Sequence, residues 1–520
     1  MKNILHYFLV SFLIVLSSAS HAQINEKSID SLVTATIKAF DVPGISVGII
    51  KDDKIVYSKG QGVRSLKNNL PVDSQTLFGI ASNSKGFTCF ALAMLADEGK
   101  LKWDDKVRKY IPEFKMYADF VTEEFTIRDL VTHRSGLGLG AGDLMFFPEG
   151  GTFTVQDIIN NIQYLQPESS FRSKYAYNNN MYIIAGEIIH RVSGLSWEEF
   201  IEQRILQPVG MRTSTASYNR VRNNDNLIDA HAPVEGKVTA IPHDWNSIAN
   251  AAGGIMSNIE DMLVWAKFLM NDGVTQSGKR LISKQQLKEL WSLQMPIAVA
   301  GNHPYNTKLN GYGLGWFVSD VNGYLQVTHT GGLIGTVTQF ILIPEKKLGI
   351  VVLTNQQSGA AFTAISNTIK DHYLNNAKRD WIKELKTRTD NFNKHSDSLK
   401  LAVYTQTEKM KLSNLLPSKE QITGIYNDKW FGDIEISFIN NAYRITCKNS
   451  PRLKGTLLPY NYNTYIAKWD DRSYDADAYV IFNYDEKGIA QVLKMKPISP
   501  ITDFSFDFEH LAPKRKPGLK

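Results

Sequence analysis

Cysteine is nearly absent from this sequence, which has only Cys89 and Cys447 among its 520 residues. Two cysteines so far apart exclude a disulfide scaffold and a cysteine-based zinc site. The sequence also lacks a His-Glu-x-x-His zinc motif and a phosphate-binding glycine loop, so we expect neither a metal ion nor a cofactor. Because Cys89 lies in an apolar helical pattern and Cys447 in a distant strand pattern, we expect both thiols to be unbridged.

A large excess of charge of one sign is missing too. The net charge is +6, but Lys514, Arg515, Lys516 and Lys520 near the C-terminus and Lys2 at the N-terminus supply most of it. A nucleic-acid partner requires a basic face, and the rest of the chain suggests none. Hydrophobic residues make up 43% of the chain and charged residues 21%, a composition typical of a globular protein.

Long apolar runs are confined to the N-terminus. Lys2 precedes an apolar run over residues 4–16, and small residues then lead to Ala22. This pattern predicts a secretory signal peptide over residues 1–22, cleaved after Ala22, and export to the periplasm or the exterior. A retained membrane anchor is the alternative, but the run is shorter than the ~20 residues that a spanning helix needs. We therefore expect no stable membrane span.

The patterns over residues 23–379 indicate one α+β domain. Helical spacing of Ile29, Val33 and Ile37 comes first, and strand patterns follow at residues 45–50 and 55–57. A long, mostly helical middle separates these from further strand patterns between residues 314 and 354. This order predicts a sheet with flanking helices and an inserted helical subdomain.

The C-terminal part has a different character. Residues 380–416 are charged and polar, which predicts a helical linker, and short strand patterns then recur as far as residues 492–495. Phe504, Phe506 and Phe508 alternate with polar residues in the same way. The spacing predicts a small all-β sandwich or barrel over residues 417–512, followed by a basic tail over residues 513–520.

The first candidate catalytic motif is Ser82-Asn83-Ser84-Lys85, at the start of a strongly apolar helical pattern. A Ser-x-x-Lys spacing on a helix places both side chains on one face. A lysine in a partly dry site loses its charge near neutral pH and can take the serine proton. Alone the motif is weak, because a serine and a lysine at a helix start are common. Ser84 is the second candidate hydroxyl, but its spacing to Lys85 does not share a face.

Two further motifs carry polar groups at the edges of apolar segments. Tyr177-Asn178-Asn179 precedes a helical pattern, and a tyrosine near a lysine shares in proton transfer while an asparagine amide holds a substrate carbonyl. His329-Thr330-Gly331-Gly332 ends a strand pattern, where a strand edge pairs with an extended substrate and glycine admits close approach. Each motif taken by itself favours a structural role.

Taken together and in this order, the three motifs resemble the serine β-lactamase and penicillin-binding superfamily. The resemblance is to the class C β-lactamase-related branch, which includes D-amino-acid peptidases, carboxypeptidases and esterases. Residues 126–137, 253–255 and 312–316 are similar to that branch as well. The resemblance implies an α+β fold with an antiparallel sheet, and the part after residue 417 resembles a small lipocalin-like barrel often appended to these hydrolases.

The resemblance also implies roles for single residues. Ser82 matches the acylated nucleophile, Lys85 its proton acceptor and Tyr177 the tyrosine that passes protons. Asn179, Thr330 and Gly331 match substrate-binding positions, and the backbone amides of Ser82 and Gly332 match the oxyanion hole. His329 occupies a substrate-binding position where β-lactamases usually carry lysine, and a neutral histidine is poorly suited to a substrate carboxylate.

This departure favours a peptidase, amidase or esterase that forms an acyl-enzyme. A true β-lactamase or D-Ala-D-Ala carboxypeptidase is the second hypothesis, and a penicillin-binding-type sensor with little turnover is the third. The expected partner is a small-molecule or peptide substrate, with cell-wall peptides among the candidates. We expect the C-terminal domain to contribute no chemistry to acylation. The linker is placed to hold it against the active-site side, where it would filter substrates.

Overall fold

The computed structural model describes residues 24–222, 226–242, 246–299, 301, 304–412 and 416–517. The predicted signal peptide lies outside these residues. The α-helices are α1 (Glu26–Phe40), α2 (Ser84–Asp97), α3 (Asp119–Glu124), α4 (Ile127–Val131), α5 (Val155–Asn161), α6 (Asn180–Ser193), α7 (Trp197–Ile201), α8 (Gln207–Val209), α9 (Asn250–Gly253), α10 (Ile259–Met270), α11 (Lys284–Leu290), α12 (Gly359–Tyr373), α13 (Trp381–Lys411) and α14 (Lys419–Ile422).

The strands fall into an N-terminal and a C-terminal set. The first set is β1 (Gly44–Lys51), β2 (Lys54–Gly62), β3 (Phe78–Gly79), β4 (Ala230–Val234), β5 (Lys237–Ile241), β6 (Met256–Ser257), β7 (Met295–Pro296), β8 (Asn310–Tyr312), β9 (Phe317–Val321), β10 (Tyr324–Leu333), β11 (Thr336–Ile343) and β12 (Leu348–Thr354). The second set is β13 (Gly424–Asp428), β14 (Gly432–Ile439), β15 (Ala442–Cys447), β16 (Lys454–Pro459), β17 (Thr464–Trp469), β18 (Ala478–Tyr484), β19 (Ala490–Pro497) and β20 (Lys514–Arg515).

An eight-stranded antiparallel sheet in the order β2-β1-β12-β11-β10-β9-β8-β7 forms the centre of the N-terminal domain. Side chains alternate between its two faces. Ile45, Val47 and Ile49 of β1 pack with α1 and α12 on one face. Gly48 faces α10 so closely that a Cβ there would lie 2.8 Å from Ile259. Helices therefore cover both faces, and the predicted α+β fold is confirmed.

Helix α2 lies at the centre of the helical subdomain. Every residue from Ser84 to Leu95 is buried, which is expected of a helix that is apolar on all sides. The phenyl ring of Phe87 stacks on the indole of Trp265 from α10, with ring centroids 4.1 Å apart. This packing fixes the N-terminus of α2, where the Ser-x-x-Lys motif lies.

The predicted linker is a single helix, α13, of 31 residues. At about 1.5 Å per residue it spans about 46 Å. At its N-terminal end the Trp381 indole donates to Asp371 Oδ2 of α12 at 2.6 Å. Further along, Val403 packs with Ile466 and Ile498 of the C-terminal domain. The helix is thus attached to both domains and holds one against the other.

The C-terminal domain is a closed antiparallel barrel, β13 to β20, which confirms the predicted all-β class. The predicted basic tail from residue 513 is wrong for Lys514 and Arg515, because they form β20 and pair with β13 and β19. The Arg515 guanidinium donates to the Tyr426 hydroxyl at 3.1 Å and to the Ala490 carbonyl at 3.1 Å. A long-range strand pairing and these contacts, which the sequence pattern did not indicate, hold the segment in the barrel.

The alternating phenylalanines do not form a strand as predicted. Phe504 lies in the loop that joins β19 to β20, and Phe508 begins a short 3₁₀ turn in the same loop. Phe506 and Phe508 are buried, whereas Phe504 is 40% exposed. Ser505 and Asp507 between them are buried as well, so the alternation does not separate a buried face from an exposed one.

Both cysteines are buried and unbridged, as expected. None of the helices in the described part of the chain combines the length and the apolar character that crossing a membrane requires. Over the same ranges, no cluster of three or more His, Cys, Asp or Glu side chains is arranged to hold a metal ion.

Candidate active site

The Ser-x-x-Lys motif begins on a tight turn that leads into α2. Ser82 is the middle residue of a 3₁₀ turn over Ala81–Asn83. Ala81 has a φ of 48°, an unfavourable value for alanine that the surroundings must enforce. The Asn83 amide does so by donating to the Ile80 carbonyl at 3.2 Å and to the Thr338 hydroxyl of β11 at 2.8 Å. The turn thus presents the partly exposed Ser82 towards β10.

Lys85 is fully buried beneath Ser82 and contacts three oxygen atoms. Its Nζ lies 2.9 Å from Ser82 Oγ, 2.7 Å from Asn179 Oδ1 and 2.7 Å from the Ala252 carbonyl oxygen. Burial lowers the pKa of Lys85 to about 7. A neutral amine has two N–H bonds and one lone pair, and the amide and carbonyl oxygens only accept. Both N–H bonds are therefore used by these acceptors, and the lone pair faces the Ser82 hydroxyl.

Ser84, the second candidate hydroxyl, has a structural role. It is fully buried, and its Oγ accepts a hydrogen bond from the Ile255 backbone N–H at 3.1 Å. The hydroxyl therefore ties the start of α2 to the segment after α9 and points away from the cleft.

Tyr177 lies directly beside the nucleophile. Both residues line the same cleft, and burial raises the pKa of Tyr177 well above its usual value, while the nearby Ser82 hydroxyl acts in the opposite direction. The Lys85 ammonium position lies 4.8 Å from the centre of the Tyr177 ring. The phenol is therefore neutral at physiological pH and can donate a proton, while Lys85 is the group near Ser82 that can accept one.

Asn179 is held by a buried carboxyl group that the sequence did not single out. The Asn179 Nδ2 donates to Asp143 Oδ2 at 2.8 Å, and Asp143 is fully buried. Burial raises the pKa of Asp143 well above its usual value. No local pattern marks Asp143, because it begins a short 3₁₀ turn in the segment between α4 and α5 and reaches the site only through the fold.

His329 lines the cleft, and both of its ring nitrogens are bonded within the protein. Nδ1 lies 2.6 Å from the Thr330 carbonyl and therefore donates to it, so Nε2 accepts from the Tyr312 hydroxyl at 3.0 Å. Burial and the nearby Lys85 lower the pKa of His329 to about 3. His329 is therefore neutral, and it offers a substrate neither a cation nor a free N–H. Tyr312 lies in a stretch that carried the family resemblance, so the sequence did contain a signal for it.

The strand that carries His329 presents an open edge. Strand β10 pairs with β9 only as far as Thr328, whereas its pairing with β11 continues to Leu333. Gly331 packs against the nucleophile turn, where an added Cβ would lie 2.2 Å from the Ile80 carbonyl oxygen. At Gly332 an added Cβ would meet no atom within 4 Å. The unpaired backbone after His329 is thus available to an extended substrate.

These elements surround a cleft of about 520 Å³. Its lining is mainly aromatic and aliphatic, and it includes the barrel-domain residues Asp503, Phe504 and Ser505. The Phe504 ring contacts the Tyr177 ring edge to face, with centroids 5.9 Å apart. The C-terminal domain therefore forms one wall of the cleft, on the active-site side where the sequence analysis expected the linker to hold it. Ser82, Lys85, Tyr177, Asn179, His329, Thr330, Gly331 and Gly332 all lie in or directly beneath this cleft.

Comparison with known proteins identifies relatives of both parts of the chain. Protein flp of Staphylococcus aureus (strain MW2) is 26% identical over 336 residues, which are 64% of this chain and 64% of that protein. Unguisins hydrolase ungD' of Aspergillus campestris (strain IBT 28561) is 27% identical over 376 residues, 68% of this chain and 66% of that protein. The chain thus matches a little less than two thirds of the length of these relatives.

The octameric penicillin-binding protein homologue from Pyrococcus abyssi has the same fold. Its structure superposes with a TM-score of 0.59 at 23% identity and covers 92% of this chain and 98% of that one. The family model described as "Domain of unknown function (DUF3471)" matches residues 418–515, and the Beta-lactamase family model matches residues 29–373. The chain therefore belongs to the beta-lactamase family, in which it combines a hydrolase-type domain with a C-terminal DUF3471 barrel.

Proposed function

We propose that this protein is an exported serine hydrolase that cleaves a peptide, amide or ester through a covalent acyl-enzyme on Ser82. The contact between Lys85 Nζ and Ser82 Oγ at 2.9 Å carries the proposal. The name of one relative, a hydrolase of unguisins, also supports hydrolase activity. Export rests on the signal pattern that ends at Ala22.

In the proposed acylation step, Ser82 Oγ attacks the substrate carbonyl carbon while its proton passes to the Lys85 lone pair. The negative charge that develops on the carbonyl oxygen is stabilised by the backbone N–H groups of Ser82 and Gly332. The carbon–leaving-group bond then breaks, and the proton that Lys85 took from Ser82 passes to the leaving group, directly or through the Tyr177 hydroxyl, which gives up one proton and receives the other. An ester between the acyl group and Ser82 remains.

Deacylation follows the same path with water as the nucleophile. Lys85 takes a proton from the water as it attacks the ester carbonyl and then returns it to Ser82 Oγ. The bond to Ser82 Oγ breaks, Ser82 regains its proton, and the acid product leaves. The net reaction consumes one water for each bond cleaved, so no cofactor is needed.

The proposal is tested with a fluorophosphonate probe and a labelled penicillin on the purified protein. A hydrolase is expected to form a fluorophosphonate adduct at Ser82, located by peptide mass spectrometry, and to release product from an activated ester continuously. Persistent labelling by the penicillin without any turnover of esters or amides would instead indicate a sensor. Failure of both probes to modify Ser82 would contradict an acyl-enzyme.

The charges that line the cleft favour uncharged substrates. Among the described lining residues, Asp503 is the single acidic or basic side chain apart from the neutral His329. A substrate carboxylate would therefore find no cation here. A lost charge-assisted hydrogen bond costs about 1.5–3 kcal/mol. This disfavours β-lactams and D-Ala-D-Ala peptides and favours neutral peptide, amide or ester groups with apolar substituents.

We therefore expect methyl 4-acetoxybenzoate to be hydrolysed with a kcat/KM at least about tenfold higher than 4-acetoxybenzoate. The two esters share the same acetyl group and differ by one carboxylate on the leaving group. Initial rates of phenol release, each corrected for the uncatalysed rate, measure the ratio. Equal or reversed values would show that the cleft does bind a carboxylate and would favour the β-lactamase or carboxypeptidase alternative.

A further inference from the structure

The loop between β19 and β20 of the barrel reaches the polar network beneath the nucleophile. The Ser505 hydroxyl donates to Asp143 Oδ2 at 2.8 Å, across 362 residues of sequence. The Gly142 backbone N–H donates to Asp507 Oδ2 at 2.5 Å. Ser505, Asp507 and Asp143 are all buried. The barrel loop is therefore attached to the hydrolase domain by two hydrogen bonds at adjacent residues.

The same carboxyl oxygen leads to the proposed base. Asp143 Oδ2 also accepts from Asn179 Nδ2 at 2.8 Å, and Asn179 Oδ1 accepts from Lys85 Nζ at 2.7 Å. The two ends of an asparagine amide have nearly the same shape, so its partners decide which end faces which way. If the amide were reversed, its N–H would face Lys85 and attract the lone pair that Ser82 needs.

The Ser505 hydroxyl favours Oδ2 as the oxygen of Asp143 that accepts hydrogen bonds, because it donates to that atom. Burial raises the pKa of Asp143, the hydrogen bonds from Asn179 and Ser505 lower it, and the more distant Asp507 and Lys85 raise and lower it, respectively, with a net shift upward. His510 lies behind Asp507 and contacts Glu168. A neutral carboxyl has one accepting oxygen and one hydroxyl. The Asn179 amide and the Ser505 hydroxyl both donate to Oδ2, while Oδ1 has no hydrogen-bond partner among the described residues, so this geometry places the proton of a neutral Asp143 on Oδ1.

Without the Ser505 hydroxyl, a second arrangement becomes competitive. Asp143 then carries its proton on Oδ2 and donates to Asn179 Oδ1, and the reversed amide points its N–H at Lys85. This arrangement keeps the hydrogen bond between Asp143 and Asn179, but it turns the lysine lone pair away from Ser82. A hydroxyl oxygen accepts the Ser505 proton more weakly than a carbonyl oxygen does, so the native serine disfavours it.

We propose that Ser505 of the barrel domain is a positioning residue for acylation, which acts through Asp143 and Asn179 to direct the Lys85 lone pair at Ser82. The inference rests on the proposed function. It makes the DUF3471 barrel a functional part of the catalytic site and replaces the expectation that this domain contributes nothing to acylation.

The first test compares Ser505→Ala with the unmodified full-length chain. The substrate is an aryl acetate, and the burst of phenol release measures acylation. The acylation rate constant is expected to fall about tenfold, as for loss of one hydrogen bond in a buried network. The apparent substrate dissociation constant is expected to change less than about twofold, because binding contacts remain. Ser505→Cys, a weaker donor of similar size, is expected to give an intermediate rate.

The matched control is Ser499→Ala. Ser499 belongs to the same segment of the barrel, and its buried hydroxyl pairs with the Ser396 hydroxyl of α13 at 2.6 Å, away from Asp143. This variant loses a comparable hydrogen bond but is expected to keep the acylation rate. A cooperative melting transition is recorded for every variant. An equal loss of rate in Ser499→Ala would mean that general loosening of the barrel is responsible and would overturn the inference.

The second test is a double-mutant cycle with Asp143→Ala. If Ser505 acts through Asp143, the Ser505→Ala change has no further effect on the acylation rate once Asp143 is removed. Full additivity of the two losses, or an unchanged rate in a folded Ser505→Ala variant, would overturn the inference and leave the proposed function intact. Absence of acylation in the unmodified protein would instead overturn the proposed function and this inference with it.

Discussion

Ser82→Ala is expected to abolish acylation and to leave the protein folded. The Ser82 hydroxyl oxygen forms the covalent bond to the acyl group, and it is the hydroxyl that Lys85 Nζ contacts, at 2.9 Å. Loss of the nucleophile in such sites lowers the rate about 10⁴- to 10⁶-fold. Fluorophosphonate labelling and the steady-state rate on an aryl ester measure the effect, and a thermal melt confirms the fold. Turnover that is undiminished in this variant would disprove the assignment of Ser82.

Ser84→Ala is the matched control for this experiment. It also removes a serine hydroxyl at the start of α2, but that hydroxyl accepts from the Ile255 backbone and does not face the cleft. Some loss of stability is expected, since the Ile255 N–H is left without its acceptor. Labelling at Ser82 should persist. If labelling were lost in Ser84→Ala but kept in Ser82→Ala, Ser84 would be the nucleophile and Ser82 the structural hydroxyl.

Lys85→Met is expected to lower the acylation rate constant about 10²- to 10⁴-fold, which is the usual contribution of a general base. Methionine fills the buried space without supplying a lone pair to Ser82. The alkyl body of the side chain is retained, so the cleft should keep its shape and its affinity for an uncharged ester. The acylation rate constant and the dissociation constant are measured separately, and a change confined to binding would contradict a role as base.

The pH dependence of acylation tests the same group without mutation. Burial lowers the pKa of Lys85 from 10.5 to about 7, so the amine is charged and inactive below that pH and neutral above it. The rate is therefore expected to rise through pH ~7 and then level off. Burial lowers the pKa of His133 well below its usual value and that of His329 to about 3, and it raises the pKa of Tyr177. These groups do not titrate near neutrality.

This assignment would be contradicted if the acid limb of the pH–rate profile, where the acylation rate rises with pH, lay far from pH ~7. A limb near pH ~10 would mean that Lys85 keeps an ordinary lysine pKa. In Lys85→Met the residual rate is expected to lose the limb near pH ~7 altogether, which separates Lys85 from Asp507 and His510 at the domain interface. Retention of the limb in this variant would assign it to another group.

Much of this architecture follows from local sequence pattern. The spacing of Ser82 and Lys85 places their side chains on one face of the helical segment that the 3₁₀ turn and the start of α2 form together, because residues three apart on a helix are neighbours. The apolar stretch after Lys85 predicts a central helix, and α2 is buried throughout. Short strand patterns after residue 417 predicted an all-β domain, and the barrel confirms it. The order of the three motifs resembled the family to which the chain belongs.

The tertiary structure decided the properties of those residues and their remote partners. Lys85 has its lowered pKa because the fold excludes water from it, and His329 is neutral because its surroundings are buried and Tyr312 and the Thr330 carbonyl occupy both ring nitrogens. Strand β20 was read as a tail, because pairing with β13 depends on contacts far along the chain. The bond from Ser505 to Asp143 spans 362 residues. Hydrophobic periodicity reports which face of a segment is buried, but it carries no information about which distant segment covers that face.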